Sequence, residues 1–325
     1  MKKALFLLMA ISLLACQDRK SNKNPIPDVT NHVSVIIDDI LWNGEIGDTI
    51  RQKLASPVVG LPQEEPLFTL NQYPLKLLEG YMHSRSIIVV KKGPQKKFAI
   101  KHDEYTKPQI VLYITGRNTT EIIEVIEQNS SKIISTIKLR EIACLQKGFK
   151  KSHLDKKRIA EKFGISMLVP TPFKYVVEGD KFLWLKNDIT SGNTSILIYE
   201  VPLETVLPKS NIVTNVIAIR DSIGRRYIHG AAPGTVMETE NSYTPYLSTT
   251  AIDGHEAFET RGTWELDRNM SGPFINFAIM DTVSSRALII EGFCHIPAKQ
   301  KRNLMLELEA MIRSTKFLND KSETR

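Results

Sequence analysis

Cysteine is scarce in this chain of 325 residues: there are three, Cys16, Cys144 and Cys294, and none belongs to a Cys-x-x-Cys pair. Thiol redox motifs and structural zinc sites are therefore poorly supported. The seven histidines (32, 83, 102, 153, 229, 255 and 295) are scattered and none repeats at metal-ligand spacing, so no metal and no cofactor are expected. His255-Glu256, with Glu259 nearby, reads as a solvated strand end. Also missing are His-Glu-x-x-His, a Walker phosphate loop, Gly-x-Ser-x-Gly and a helix-opening Gly-x-Gly-x-x-Gly, which leaves the common hydrolase and transferase signatures without support. No basic stripe interleaved with aromatics appears, so nucleic acid is not an expected partner. What the chain does have is 42% hydrophobic residues and 24% charged residues of mixed sign, the balance of a globular protein. Its length suits one large or two modest domains.

The first residues read as an export signal. Met1-Lys2-Lys3 is charged, and Ala4 to Leu14 is apolar apart from Ser12. That run suits a signal core and is shorter than the roughly 20 residues of a spanning helix. Leu13-Leu14-Ala15-Cys16 resembles the lipobox of bacterial lipoproteins. The resemblance implies a signal peptide over 1–15, cleavage before Cys16, diacylglycerol on its sulfur and an acyl chain on the new amino group. A thiolate suits thioether formation because it is the best nucleophile near neutral pH. Residues 17–32 are polar, hold two prolines and show no apolar period, so 16–32 is expected to be a lipidated tether. Gln17, rather than aspartate, favours outer-membrane sorting, and no acidic cluster follows Cys16, so the expected location is the outer membrane facing the periplasm. Loss of Lys2 and Lys3 with the signal lowers the net charge of +7 by two, a mild excess suited to anionic headgroups. An oxidising periplasm permits a Cys144–Cys294 bridge, but two buried thiols suit their apolar surroundings better.

Two α/β units follow, over 33–150 and 151–317, with a polar tail at 318–325. In the first, Val33, Val35 and Ile37 alternate as in a strand, and Ile46, Ile50 and Leu54 recur as on a helix. Residues 86–90, 98–101 and 109–114 read as strands. Asn118-Thr119-Thr120-Glu121 has the spacing of a capping box, and from it runs a long helix with Ile122, Ile126, Ile133, Ile137 and Cys144 on one side. Asn129-Ser130-Ser131 is a candidate interruption. In the second unit, a helix over 154–163 stops at Gly164, and strands are expected at 166–169, 175–177, 182–185, 195–201, 256–266, 274–280 and 287–296. Pro297 opens a final helix bearing Leu304, Leu308, Met311 and Ile312. The fold class is α+β, with mostly antiparallel sheets and long helices packed on a face. The similar tripeptides Asp48-Thr49-Ile50 and Asp221-Ser222-Ile223 leave an internal duplication open.

Three segments combine residues suited to a ligand surface: 41–48 with Trp42, leading to Arg51; 60–68 with Gln63, Glu64 and Glu65 between prolines; and 261–274 with Arg261, Trp264 and Glu265. The competing reading makes the glycines and prolines turn-formers and the tryptophans core. GLPQEEPLF (60–68), RGTWELDRNMSGPFINFAIMD (261–281) and EGFCHIPAKQKRNLMLELEAMIRS (291–314) resemble the Bacteroidota lipoprotein family named domain of unknown function 4837. The resemblance runs over nearly all of the mature chain and implies an envelope lipoprotein, without assigning a catalytic residue. ISMLVPTPFKYVVEGDKFLWLKND (165–188) and the following SILIYEVPL resemble the opening hairpins of PsbP-like domains. Two functions follow as expectations. One is a binding or scaffold module, held to the bilayer through acylated Cys16, with an envelope protein or cell-wall partner. The other is a hydrolase or transferase acting on peptidoglycan or glycan, with Glu45, Asp48, Glu65 or Glu265 as acid and base. Two of those carboxylates converging in one cleft is the sign that separates them.

Overall fold

A strand, a short helix and a longer helix come first among the described elements: β1 (His32–Ile36), α1 (Asp39–Trp42) and α2 (Glu45–Leu54). The structure, a computed structural model, describes residues 29–78, 84–208, 211–267, 270–297 and 299–318. Cys16, the signal and most of the tether lie outside them. After α2 come β2 (Thr69–Tyr73), β3 (Ser86–Lys92), β4 (Lys97–His102), β5 (Ile110–Gly116) and the helix α3 (Thr119–Phe149). These strands form one sheet in the order β2-β1-β3-β5-β4. Here the sheet departs from the antiparallel expectation: β1 runs parallel to β2 and β3, β3 runs parallel to β5, and β4 alone is antiparallel. A period of two reports a strand and not its direction, and α2 supplies the return crossover that a parallel pair needs.

Ile46, Ile50 and Leu54 of α2 and Ile122, Val125, Ile126, Ile133 and Ile137 of α3 cover one face of this sheet, against Val33, Val35, Ile88, Val90, Leu112 and Ile114. Asn118 caps α3 by accepting from the Glu121 N–H at 3.0 Å, while the Glu121 carboxylate returns to the N–H of Arg117, one residue earlier than in a capping box. The helix runs unbroken through 129–131. Asn129 donates to the Val125 carbonyl and Ser130 to that of Glu127, so these polar side chains fold onto the helix rather than ending it.

The second unit holds α4 (Lys157–Phe163), β6 (Ile165–Ser166), β7 (Lys174–Gly179), β8 (Phe182–Ile189), β9 (Gly192–Pro202), α5 (Leu203–Val206) and α6 (Ile212–Tyr227). Then follow β10 (Glu238–Thr239), β11 (Tyr246–Ile252), β12 (His255–Asp267), β13 (Met270–Asp281), β14 (Arg286–His295), α7 (Arg302–Ile312) and β15 (Lys316–Phe317). Eight of its strands make an antiparallel sheet, β10-β12-β13-β14-β9-β8-β7, with β11 also paired to β12. This sheet carries the antiparallel majority of the fold. Its long strands are buried on both faces: α4 and α7 cover one, α5 and α6 the other. β13 and β14 therefore read as near-continuous apolar runs. The two sheets differ in strand order and in pairing direction, so the matched tripeptides do not mark a duplication.

α3 also ties the units together. Ile142 packs with Leu306 and Ala310 of α7, and Gln146 donates to the Ala310 carbonyl at 2.9 Å. Cys144 and Cys294 are not joined by a disulfide. Cys294 is buried beside Met305, and burial pushes its thiol up to about 12, so it stays protonated and inert. Among the described residues no helix is long and apolar enough to cross a membrane.

Candidate functional site

The segment between the two prolines is a closed loop. Pro57 and Pro66 form a bridge, the Val58 N–H donates to the Glu65 carbonyl at 2.8 Å and Leu67 N–H to that of Ser56 at 2.8 Å. Its tip lies on β12. Gly60 has φ +80°, and a Cβ there would stand 2.9 Å from the Arg261 Cβ, so glycine serves both the turn and the close approach. A Cβ on Gly262 would meet the Phe274 ring at 3.0 Å and Pro245 at 3.1 Å. Beside this contact opens a cleft of about 610 Å³. Val59, Leu61 and Glu64 line it from the loop, and Glu240, Tyr243 and Tyr246 from the stretch leading into β11. Tyr243 is 79% exposed and Tyr246 57%, so both rings are open to a ligand.

The Glu240 carboxylate accepts from the Ser242 N–H at 2.6 Å and the Thr263 hydroxyl at 3.1 Å. The bonds from Ser242, with that from Thr263, hold it below the usual carboxylate range. Arg261 reaches the cleft with its charge already matched. Its Nε donates to Glu259 at 2.7 Å and its Nη2 to Glu309 at 2.6 Å. Burial pushes this guanidinium down, but the two carboxylates more than offset it and raise it overall.

Two of the three segments singled out in the sequence therefore meet, and the third does not. Trp42 and Arg51 sit at the α1–α2 junction, outside the cleft lining. Arg51 stacks 4.6 Å over the Trp42 ring, donates twice to the Trp42 carbonyl at 3.2 Å and pairs with Asp48 at 2.7 Å. Those local bonds occupy the guanidinium that the sequence offered to a ligand surface. Gln63 is exposed on the loop outside the cleft lining. Trp264 is 1% exposed and packs edge-on against Phe293, 5.4 Å between centroids, so it is a core residue. Glu265 is exposed opposite Ser271 and Glu238. The Tyr243–Tyr246 wall was not singled out; its signal is two tyrosines and a proline within a polar stretch.

Glu65 holds the loop to α7. It is buried and accepts from the N–H groups of Lys301 at 2.6 Å and Arg302 at 3.0 Å. Arg302 reaches back to the Pro66 carbonyl at 2.8 Å. The last helix thus starts at Arg302 and not at Pro297, because its N-terminal donors find their acceptor 236 residues away. Glu65→Ala should cost about 2 kcal/mol in urea unfolding, near the upper end for a lost cap, with Glu65→Gln costing less. An unchanged midpoint for the alanine variant would remove this role.

Glu45, Asp48, Glu65 and Glu265 do not converge: the first two open α2, the third caps α7 and the fourth is exposed on β12. Glu64 and Glu240 share the cleft, but Glu240 is held ionised, whereas a general acid needs a raised pKa. Among the described residues no group of three His, Cys, Asp or Glu side chains is placed to hold a metal ion.

Among solved structures, the chain is similar to the Saccharomyces cerevisiae Ran-binding protein Mog1p, with 12% identity over 48% of this chain and 92% of that one and a TM-score of 0.32. It is similar to cyanobacterial PsbP (CyanoP) from Synechocystis, with 12% identity over 47% and 86% and a TM-score of 0.30. It is also similar to LpqN, involved in cell envelope biogenesis of Mycobacterium tuberculosis, with 8% identity over 46% and 81% and a TM-score of 0.29. Likenesses at this level fix no function. No curated protein matches the sequence. Residues 28–150 match the model of a domain of unknown function, DUF8532, so GLPQEEPLF falls in that match rather than in the family expected over the whole mature chain. Residues 152–314, with the other two segments that carry the resemblance, match the model of the domain of unknown function DUF4837, and the chain belongs to that family.

Proposed function

We propose that the protein is a non-enzymatic binding module of the bacterial envelope, anchored by lipid on Cys16 at the outer membrane and facing the periplasm. The envelope address rests on the signal, lipobox and tether pattern of the sequence. The binding site is the cleft between loop 57–66 and β12. One observation carries that choice: Tyr243 and Tyr246 present open rings across from Val59 and Leu61, on walls fixed by buried anchors. Rigid aromatic side chains lose little entropy on docking, and clefts that join apolar walls to a few polar groups are the usual shape of a binding site. The hydrolase reading loses its support, since the carboxylates it named stand apart.

A photo-crosslinking residue placed at Tyr243 in intact cells tests this, with Leu139, 61% exposed on α3, as the control position. Adducts specific to Tyr243 are expected. The double variant Tyr243→Ala and Tyr246→Ala should weaken binding of the captured partner about 30-fold with an unchanged melting curve, the scale of losing an aromatic hot spot. Adducts identical at the two positions, or binding unaffected by the double variant, would return the cleft to scaffolding.

A further inference from the structure

Edge strands expose unpaired N–H and C=O groups, and proteins ordinarily blunt them with charge, proline, bulges or brevity. Most edges here are treated that way. β4 carries Lys97 and Lys101; β7 carries Lys174 and Glu178 and has an irregular register; β10 is two residues long. On β2, Arg302 binds Thr69 and Asp39 binds Gln72. β11 has none of these devices. Its sequence, Tyr-Leu-Ser-Thr-Thr-Ala-Ile, holds no charge, proline or glycine, and its seven residues pair with β12 in regular register. Among the described residues β12 is its only partner strand, and most of its side chains are exposed. β-branched and aromatic residues dominate it, so it is ready to extend the sheet by one strand.

The charge around β11 says what arrives. Tyr246, its first residue, also lines the cleft, where the ionisable groups are Glu64, Glu240 and the already matched Arg261. The cleft end of β11 is therefore acidic. At the far end the charges are paired: Arg313 reaches Thr250 but is matched by Glu259 and Glu309, and Lys316 pairs with Asp253. The net charge of the chain, +7, does not oppose a cation at the cleft, because salt screens charges beyond about 8 Å under physiological conditions.

We propose that β11 is a strand-addition edge that takes an extended segment of a partner protein, with an arginine or lysine of that segment seated against Glu64 and Glu240. This deepens the cleft reading and rests on it. Backbone pairing along residues 246–252 supplies affinity, and the cation fixes register.

The probe is a labelled heptapeptide, Arg-Thr-Val-Thr-Val-Thr-Val, titrated against the full chain in detergent. Binding in the range of about 10–100 μM is expected, with amide exchange over 246–252 slowed about tenfold. Replacing its arginine by glutamate should weaken binding at least about tenfold, and Glu64→Gln with Glu240→Gln should abolish that difference, in a variant whose melting curve confirms folding. Methylating alternate amide nitrogens gives two peptides, and the one blocked on the paired edge should not bind. The inference is overturned if the parent peptide does not saturate by about 1 mM, if both methylated peptides bind like the parent, or if exchange over 246–252 is unchanged. A stable dimer paired through β11 without peptide overturns it as well. Adducts at Tyr243 with unchanged exchange along β11 would leave the cleft reading standing without strand addition.

Discussion

Glu309→Gln is expected to destabilise the protein by about 3–5 kcal/mol and to lower its melting temperature on the order of 10 °C. Glu309 is buried on α7 at the centre of a network that spans both units. It accepts from Arg261 at 2.6 Å and from Arg313 at 2.7 Å, and Lys138 of α3 pairs with it at 2.9 Å. Glu259 closes the ring through Arg261 at 2.7 Å and Arg313 at 2.8 Å. Three cations thus face two carboxylates, and removing one carboxylate leaves buried positive charge with half its compensation. Burial pushes the Glu309 carboxyl up, but Arg261, Lys138 and Arg313 together hold it far below its ordinary value of 4.5. A depressed carboxylate stabilises the fold fully above its unfolded pKa and loses that contribution as pH falls toward its folded one. The gap in melting temperature between wild type and Glu309→Gln should therefore be constant at neutral pH and narrow steadily below pH 4.5. Lys138→Met provides the contrast: it balances the network and should change stability by less than about 1 kcal/mol. Differential scanning calorimetry across pH reads all three proteins. A Glu309→Gln variant as stable as wild type would show that solvent reaches the network.

What the sequence made legible was whatever depends on near neighbours. Ile122, Ile126, Ile133 and Ile137 recur at helical spacing, and α3 buries them together. Gly164 ends α4 in the left-handed region at φ 66°, as a C-terminal glycine does. The apolar runs at 274–280 and 287–296 are the middle strands of the second sheet. What was hidden depends on residues far apart. Parallel pairing leaves no mark on the alternation of Val33 and Val35. Glu65 has the composition of a loop carboxylate, and only the meeting of loop and α7 makes it a cap. Arg261 and Trp264 share the hot-spot chemistry of a binding surface, yet Trp264 is packed into the core and Arg261, though it lines the cleft, is spent on Glu259 and Glu309. The cleft itself inherits Glu64 from the segment chosen for composition, and its tyrosine wall from a stretch that only the fold brings opposite.

Replacing Cys16 by serine is expected to move the protein out of the membrane fraction or to leave it as unprocessed precursor, with no lipid mass in either form. The expectation follows from how each attachment scales. A buried methylene contributes about 0.8 kcal/mol, so one myristoyl chain holds a protein only marginally, while two or three chains hold it stably. Surface charge cannot substitute. Each basic residue near an anionic leaflet contributes about 1 kcal/mol, screened within a Debye length, and the basic excess here is spread over a chain of 325 residues. A high-salt wash should therefore leave the wild-type protein on membranes. A tether over residues 17–28, ahead of the described chain, would reach about 40 Å at roughly 3.3–3.6 Å per extended residue, enough to hold the cleft and β11 clear of the headgroups. Intact mass of the membrane-bound protein should show the chain from Cys16 plus diacylglycerol and an amide-linked acyl group. A Cys16→Ser protein that remains fully membrane-bound, cleaved and acylated would sink the anchor assignment and the location proposed with it.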